Sequence, residues 1–107
     1  MAINPVVSEA ARVLEAAAPP GSQVLLFGSH ARGDARKDSD ADFMVIEPHV
    51  AHRRAEMVRL RDAVRPLRLP VDIVVVSRTV FDEWRDTPNT VIYDAAHEGV
   101  ECGQPSP

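Results

Sequence analysis

Two aspartates separated by one residue stand at the start of an apolar run. Asp40-Ala41-Asp42 leads directly into Phe43-Met44-Val45-Ile46, which predicts a buried strand from Asp40 to Ile46. Side chains two residues apart on a strand point to the same face, so the two carboxylates would lie side by side. Their repulsion disfavours ionisation of both groups, and a bound divalent cation would relieve it. Taken alone, such a pair also fits a solvated strand edge.

A third aspartate lies inside another apolar run. Asp72 is embedded in Val71-Asp72-Ile73-Val74-Val75-Val76, a stretch rich in β-branched residues that predicts a strand. A buried, unpaired carboxylate is costly, so Asp72 would be protonated, paired or bound to a metal ion. The alternative is an edge strand on which Asp72 faces water. Three carboxylates together predict a site for a hard cation, Mg²⁺ or Mn²⁺.

A glycine-serine turn follows the first predicted strand. Gly28-Ser29 comes directly after the apolar run Val24 to Phe27. A glycine at a strand exit allows the backbone to approach a ligand, and backbone N–H groups and the Ser29 hydroxyl are suited to phosphate oxygens. By itself such a turn after a strand is more often an ordinary turn than a binding site. Beside three carboxylates it predicts metal-assisted phosphoryl chemistry, with two ions about 3.5–4 Å apart clamping the attacking and leaving oxygens.

Hydrophobic periodicity and turn residues set the order of the elements. The pattern predicts a small mixed β-sheet with flanking helices, an α/β fold of the α+β type. Ser77 is the expected N-cap of a helix that follows the third strand and extends through Trp84. Gly99 is the expected C′ residue of the last helix. The predicted helices are Val6–Ala18, Val50–Arg65, a segment from Ser77 to Trp84, and Thr90–His97; the predicted strands are Val24–Phe27, Asp40–Ile46 and Val71–Val76, with a loop and one helical turn from Gly28 to Ser39.

Length, charge and cysteine content limit the classes of protein to which this chain is expected to belong. The 107 residues predict a single domain, 1–102, with a loose tail at 103–107. The net charge of −4 argues against a dedicated nucleic-acid binder. The single cysteine, Cys102, excludes a disulfide scaffold, and the chain has no long apolar run and no signal pattern. We therefore expect a cytoplasmic protein without a membrane association.

Basic residues are concentrated in one part of the chain. Six of the twelve lysines and arginines lie between Arg53 and Arg68. Such a face is suited to an acidic partner or to nucleic acid. A solvated helix face explains the same pattern and is the simpler interpretation.

The segment from Gly28 to Val45, G-S-H-A-R-G-D-A-R-K-D-S-D-A-D-F-M-V, resembles the signature of the DNA polymerase β-like nucleotidyltransferase superfamily. In that signature a strand leads into Gly-Ser, Asp-x-Asp follows about ten residues later, and a third carboxylate lies on a later strand. The segments Ala31-Arg32-Gly33, Ser39-Asp40 and Ala95 to Val100 are similar to the narrower minimal nucleotidyltransferase (MNT) family. The resemblance extends from about Val24 to Val100.

The resemblance implies a set of site residues. It places a nucleoside triphosphate, ATP, at Gly28 and Ser29, and Mg²⁺ (or Mn²⁺) at the carboxylates. Arg32 and Ser39 would contact the triphosphate or shape the loop. The implied metal ligands, also the implied catalytic residues, are Asp40, Asp42 and Asp72.

The resemblance also implies a biological role. Many MNT proteins are antitoxins that transfer AMP from ATP to a tyrosine of a HEPN-domain RNase toxin. We therefore expect an adenylyltransferase whose acceptor is supplied by such a toxin, in a homo- or hetero-oligomer. The alternatives are an antitoxin that acts by stoichiometric binding without catalysis, and transfer to a small molecule or RNA. The short chain, without an acceptor domain, favours the partner protein.

Overall fold

The computed structural model describes residues 4–36 and 38–101. The expected tail at 103–107 and Cys102 lie outside the described residues. Each predicted element is found within a few residues of its expected bounds. The elements in chain order are α1 (Pro5–Ala17), β1 (Gln23–Phe27), α2 (Ser29–Arg32), β2 (Ala41–Glu47), α3 (Arg53–Val64), a 3₁₀ helix (Arg65–Leu67), β3 (Val71–Ser77), α4 (Arg78–Trp84) and α5 (Val91–Glu98).

The three strands form a mixed sheet with β2 in the centre. β1 pairs with β2 in antiparallel orientation, and β3 pairs with β2 in parallel orientation. The C-terminal end of β1 therefore lies beside the N-terminal ends of β2 and β3. Phe27 is in register with Asp42, and Asp42 is in register with Asp72. This arrangement confirms the predicted fold class and brings three separate sequence segments to one end of the sheet.

The middle of β2, from Phe43 to Ile46, is continuously apolar because both faces of the sheet are covered there. Phe43 and Val45 point into a core formed with α1 and α3, whereas Met44 and Ile46 point into a second core with α4 and α5. A strand buried on both faces is expected to be continuously hydrophobic. The layered packing fixes the face on which Asp42, at the start of this strand, emerges.

The two edge strands, β1 and β3, each form hydrogen bonds with residues outside the sheet. On β3, the Arg53 Nε–H donates to the Val75 carbonyl at 2.9 Å. On β1, Leu26 and Val100 exchange two backbone hydrogen bonds of 2.8 Å. The second contact ties the segment after α5 to β1, immediately before the Gly28 turn.

Capping explains where the helices begin, with one correction at the end of α5. The Ser77 side chain accepts from the Val80 N–H, as predicted, and Thr90 accepts from Tyr93. The expected C′ geometry at Gly99 is wrong, because its φ of −70° and ψ of 147° are extended. The residue is small for a steric reason, since a Cβ on Gly99 would overlap the Ala95 carbonyl oxygen. Helix α3 is shorter than predicted, since it begins at Arg53 rather than Val50 and Arg65 belongs to the 3₁₀ helix that follows.

None of the helices in residues 4–36 and 38–101 is both long enough and apolar enough to cross a membrane.

Candidate functional site

The sheet register brings the three predicted aspartates together. Asp42 is the second residue of β2, half-buried, and directly beside Asp72 on β3. Asp40 directly precedes β2, which begins one residue later than predicted. The Ala41 N–H donates to the Pro70 carbonyl at 2.9 Å, so the segments carrying Asp40 and Asp72 are joined just before both strands begin.

The predicted burial of Asp72 is wrong. β3 is an edge strand, and the Asp72 side chain is exposed to solvent. Burial therefore places no demand on this carboxylate to pair or to bind a metal ion. Its relevance comes instead from the register, which sets it next to Asp42.

Gly28 lies against the Asp42 carboxylate. Its backbone has φ 76° and ψ −155°, a conformation that is essentially restricted to glycine. A Cβ at this position would overlap Asp42 Oδ2 and lie 3.2 Å from Asp42 Cγ. A larger residue would separate the turn from the carboxylate, so the glycine is required for their close approach.

The predicted helical turn follows this glycine. Ser29 is the first residue of α2, and Gly33 ends the helix in the left-handed conformation with φ 85°. The first N–H groups of a helix have no carbonyl partner within that helix. The N–H of half-buried Ser29 therefore has no partner within α2 and follows directly after Gly28.

A fourth acidic residue, Glu98 at the end of α5, contacts the turn. Glu98 Oε1 accepts from the Gly28 N–H at 3.0 Å and from Arg32 Nη1 at 3.3 Å. Sequence reasoning missed this residue as a site component, although it included the segment Ala95 to Val100 in the family resemblance. The Leu26–Val100 pairing positions Glu98, because it holds the end of α5 beside the last residues of β1.

Arg32 and Ser39, the other two predicted nucleotide-binding residues, form contacts within the loop after Gly28. Arg32 contacts both Glu98 and Asp34, each at 3.3 Å. The Ser39 Oγ accepts from the Arg36 N–H at 2.8 Å, and the Ser39 carbonyl accepts from His30 Nε2 at 3.1 Å. These contacts correspond to the loop-shaping role that the sequence left open for them.

Burial and two neighbouring carboxylates raise the pKa of Asp42. Partial desolvation has the largest effect, followed by the negative charges of Asp72 and Asp40. His30 and Arg32 act in the opposite direction, since positive charge favours the ionised carboxylate. The site therefore accumulates negative charge that a bound cation would offset.

The donor chemistry of this cluster fits a hard divalent cation. Carboxylate oxygens are the preferred ligands of Mg²⁺. The register places Asp42 and Asp72 opposite each other on β2 and β3, and neighbouring strands of a sheet are about 4.8 Å apart. In residues 4–36 and 38–101, no three His, Cys, Asp or Glu side chains are placed so that they could hold a metal ion together. Binding of a cation by all three aspartates would therefore need side-chain movement, and Asp40 and Asp72 are exposed.

Comparisons with known proteins concern the family and the fold of the chain. The family model described as a nucleotidyltransferase domain matches residues 7–98. A crystal structure of a presumed nucleotidyltransferase from Sulfolobus solfataricus superposes with a TM-score of 0.58 at 21% sequence identity, covering 89% of this chain and 74% of that one. At this identity the likeness concerns the fold.

A curated relative was also found. The portal protein of human herpesvirus 1 (strain 17) is 35% identical over 83 residues, which are 78% of this chain. The match spans only 12% of the length of the portal protein.

Proposed function

Because the chain belongs to the nucleotidyltransferase domain family, we propose that it transfers AMP from ATP to a hydroxyl group in a reaction that requires Mg²⁺. The observation that carries this proposal is the position of Asp42, in contact with the Gly28 turn on one side and in register with Asp72 on the other. A phosphate-binding turn and a carboxylate pair thus adjoin at one end of the sheet.

In the proposed reaction each group has a defined task. The turn after Gly28 holds the triphosphate through the Ser29 N–H and hydroxyl, since the Gly28 N–H itself donates to Glu98. The acceptor oxygen attacks the α-phosphorus, the bond between the α- and β-phosphates breaks, and pyrophosphate leaves. Asp72, which is exposed on the edge strand, receives the acceptor proton or positions the hydroxyl. Mg²⁺ held by Asp40, Asp42 and Asp72 would neutralise the charge on the phosphates.

For the acceptor we propose a tyrosine hydroxyl of a HEPN-type RNase toxin, which makes the chain an antitoxin of the minimal nucleotidyltransferase type. The motif from Gly28 to Val45 and the segment around Glu98 support this narrower assignment through their resemblance to that family. The contact of Glu98 with the Gly28 N–H gives the second segment a physical reason to accompany the first.

The test is a transfer assay with the product of the neighbouring gene as acceptor. The protein is incubated with that partner, Mg²⁺ and ATP labelled at the α-phosphate, and the modified residue is located by mass spectrometry. Asp42→Asn is expected to abolish labelling, whereas Asp94→Asn, an exposed aspartate on α5, is expected to retain it. Equal labelling by Asp42→Asn and the unmodified protein contradicts the proposed site.

The same protein and partner distinguish catalytic from stoichiometric neutralisation when inhibition of the toxin is measured with and without ATP. Toxin inhibition that requires ATP and is lost in Asp42→Asn supports catalytic neutralisation. Equal inhibition without ATP supports an antitoxin that acts by stoichiometric binding. Label found only on RNA or on a small molecule overturns the protein acceptor.

A further inference from the structure

An arginine-lined cavity opens next to the carboxylates, and we call it the arginine cavity. It has a volume of about 570 Å³, and its lining includes Arg61, Arg65 and Arg68 together with Asp40 and Asp72. Apolar side chains lie among these charges, Val64, Leu69 and Val71. The C-terminal end of α3, the 3₁₀ helix and the start of β3 thus enclose a mixed basic and apolar pocket that shares two residues with the proposed catalytic site.

The cavity lies on the side of the carboxylates opposite to the phosphate-binding turn. In the sheet order β1–β2–β3, Gly28 follows β1, Asp42 lies on the central strand, and the cavity is bounded by β3. An in-line displacement places the attacking oxygen and the leaving oxygen on opposite sides of the phosphorus. If pyrophosphate leaves on the Gly28 side, the acceptor hydroxyl must approach from the side of the arginine cavity.

The backbone of Arg68 supports a specific use of this pocket. Arg68 adopts φ 53° and ψ 31°, the left-handed conformation, as the cap of the 3₁₀ helix. That conformation is unfavourable for a residue other than glycine. A glycine would fit without this cost, yet the position carries a guanidinium that lines the cavity. Arg65 is paired with Asp62, whereas in residues 4–36 and 38–101 neither Arg61 nor Arg68 forms an ion pair.

We propose that the arginine cavity binds an acidic peptide segment adjacent to the acceptor hydroxyl, with Arg61 and Arg68 as its specificity-determining residues. The inference rests on the proposed function, since it names the acceptor side of the same site. Guanidinium groups recognise carboxylates in a bidentate manner. The valine and leucine side chains suit the apolar parts of a peptide. No aromatic side chain lines the cavity to stack on a base, and the net charge of −4 disfavours nucleic acid.

The test measures binding without catalysis. Two fluorescein-labelled nonapeptides are compared by anisotropy in the presence of Mg²⁺, one with a central tyrosine flanked by glutamates and one flanked by glutamines; a labelled RNA decamer is the third probe. The glutamate peptide is expected to bind at least tenfold more tightly than the glutamine peptide, and its affinity to fall with salt. The double variant Arg61→Ala/Arg68→Ala is expected to abolish this preference. Arg54→Ala, on the same helix but outside the cavity lining, is the matched control and is expected to retain it.

The other outcomes overturn the proposal in distinguishable ways. Equal affinity for both peptides, or an unchanged preference in the double variant, rules out acidic recognition. Preferential binding of the RNA decamer through Arg61 and Arg68 assigns the cavity to nucleic acid instead. A loss of ATP affinity in the double variant, measured separately, assigns the arginines to the triphosphate. By contrast, retention of the preference for the glutamate peptide in an Asp42→Asn protein that is unable to transfer AMP supports the inference independently of the catalytic assignment.

Discussion

The Gly28 backbone packs directly against the Asp42 carboxylate, at a distance that leaves no room for a Cβ atom. Gly28→Ala is therefore expected to displace Asp42 and to impose a strained backbone, with a destabilisation of about 1–3 kcal/mol. Nucleotidyl transfer is expected to fall at least a hundredfold. Thermal unfolding and the labelled-ATP assay measure the two effects.

Gly21→Ala is the matched control for this prediction. Gly21 also has a positive φ, 87°, but a Cβ there would meet only Pro48 Cγ at 3.2 Å, away from the carboxylates. Both variants are expected to lose stability, and only Gly28→Ala is expected to lose specific activity. Equal activity losses in the two variants would mean that backbone strain, rather than the contact with Asp42, determines the effect.

Removing one charge of the aspartate cluster is expected to stabilise the protein in EDTA. Asp72→Asn relieves the repulsion with Asp42 across the β2–β3 pair, with an expected gain of roughly 0.2–1 kcal/mol. The pKa of Asp42 is expected to fall, since one of the charges that raise it is gone. Carboxyl-carbon NMR titration and thermal unfolding report both changes. Destabilisation in EDTA, or an unchanged Asp42 titration, contradicts the proximity of the two groups.

Glu98 is expected to act through the turn rather than on the substrate. Glu98→Ala removes the acceptor of the Gly28 N–H and one partner of Arg32, with an expected loss of about 1 kcal/mol because the group is partly exposed. The KM for ATP is expected to rise several-fold. Glu98→Gln retains an acceptor oxygen and is expected to recover most of this loss. A glutamine variant as impaired as the alanine variant would show that charge, and not the hydrogen bond, is essential.

A buried carboxyl group at the far end of β2 predicts a pH dependence of stability. Glu47 is 2% exposed, and burial together with the neighbouring Glu56 raises its pKa to about 8. Between pH 4.5 and 8 the unfolded chain has released this proton and the folded protein retains it. Stability therefore falls as pH rises through that range, by a few kcal/mol at roughly 1.4 kcal/mol for each pKa unit. The lowered pKa of Glu56, about 2, affects stability only below this range.

Glu47→Gln tests that dependence. The neutral amide fills the same space and is expected to flatten the pH profile of denaturant unfolding between pH 5 and 8. Glu83→Gln, at an exposed position on α4, is expected to leave the profile unchanged. A profile for Glu47→Gln that parallels the unmodified protein would refute the assignment to Glu47.

Local patterns predicted the fold because each element is consistent with its own sequence. The continuous apolar run after Asp42 is buried on both faces, and Ser77 caps the helix that follows β3, as the residue types indicated. The order of elements then restricted the sheet to a small mixed arrangement.

Features that depend on contacts between residues far apart in the sequence could not be predicted from local patterns. The β-branched run around Asp72 has the same composition in a central strand as in an edge strand, so the sequence suggested burial where the structure shows exposure. Glu98 has no local signal, because its partner Gly28 lies on another element and their contact depends on the Leu26–Val100 pairing. The positive φ of Arg68 likewise has no signal in the residue type, since residues other than glycine rarely adopt it.

The bond between the Gly28 N–H and Glu98 spans 70 residues of chain. During synthesis on the ribosome, the turn would emerge long before the carboxylate that holds it. Strands β1 and β2 precede α5 in the chain and can pair before Glu98 is available, but the Gly28 N–H lacks its acceptor until then. Competence to bind nucleotide would then be acquired only when the last helix docks, which couples the appearance of activity to completion of the fold.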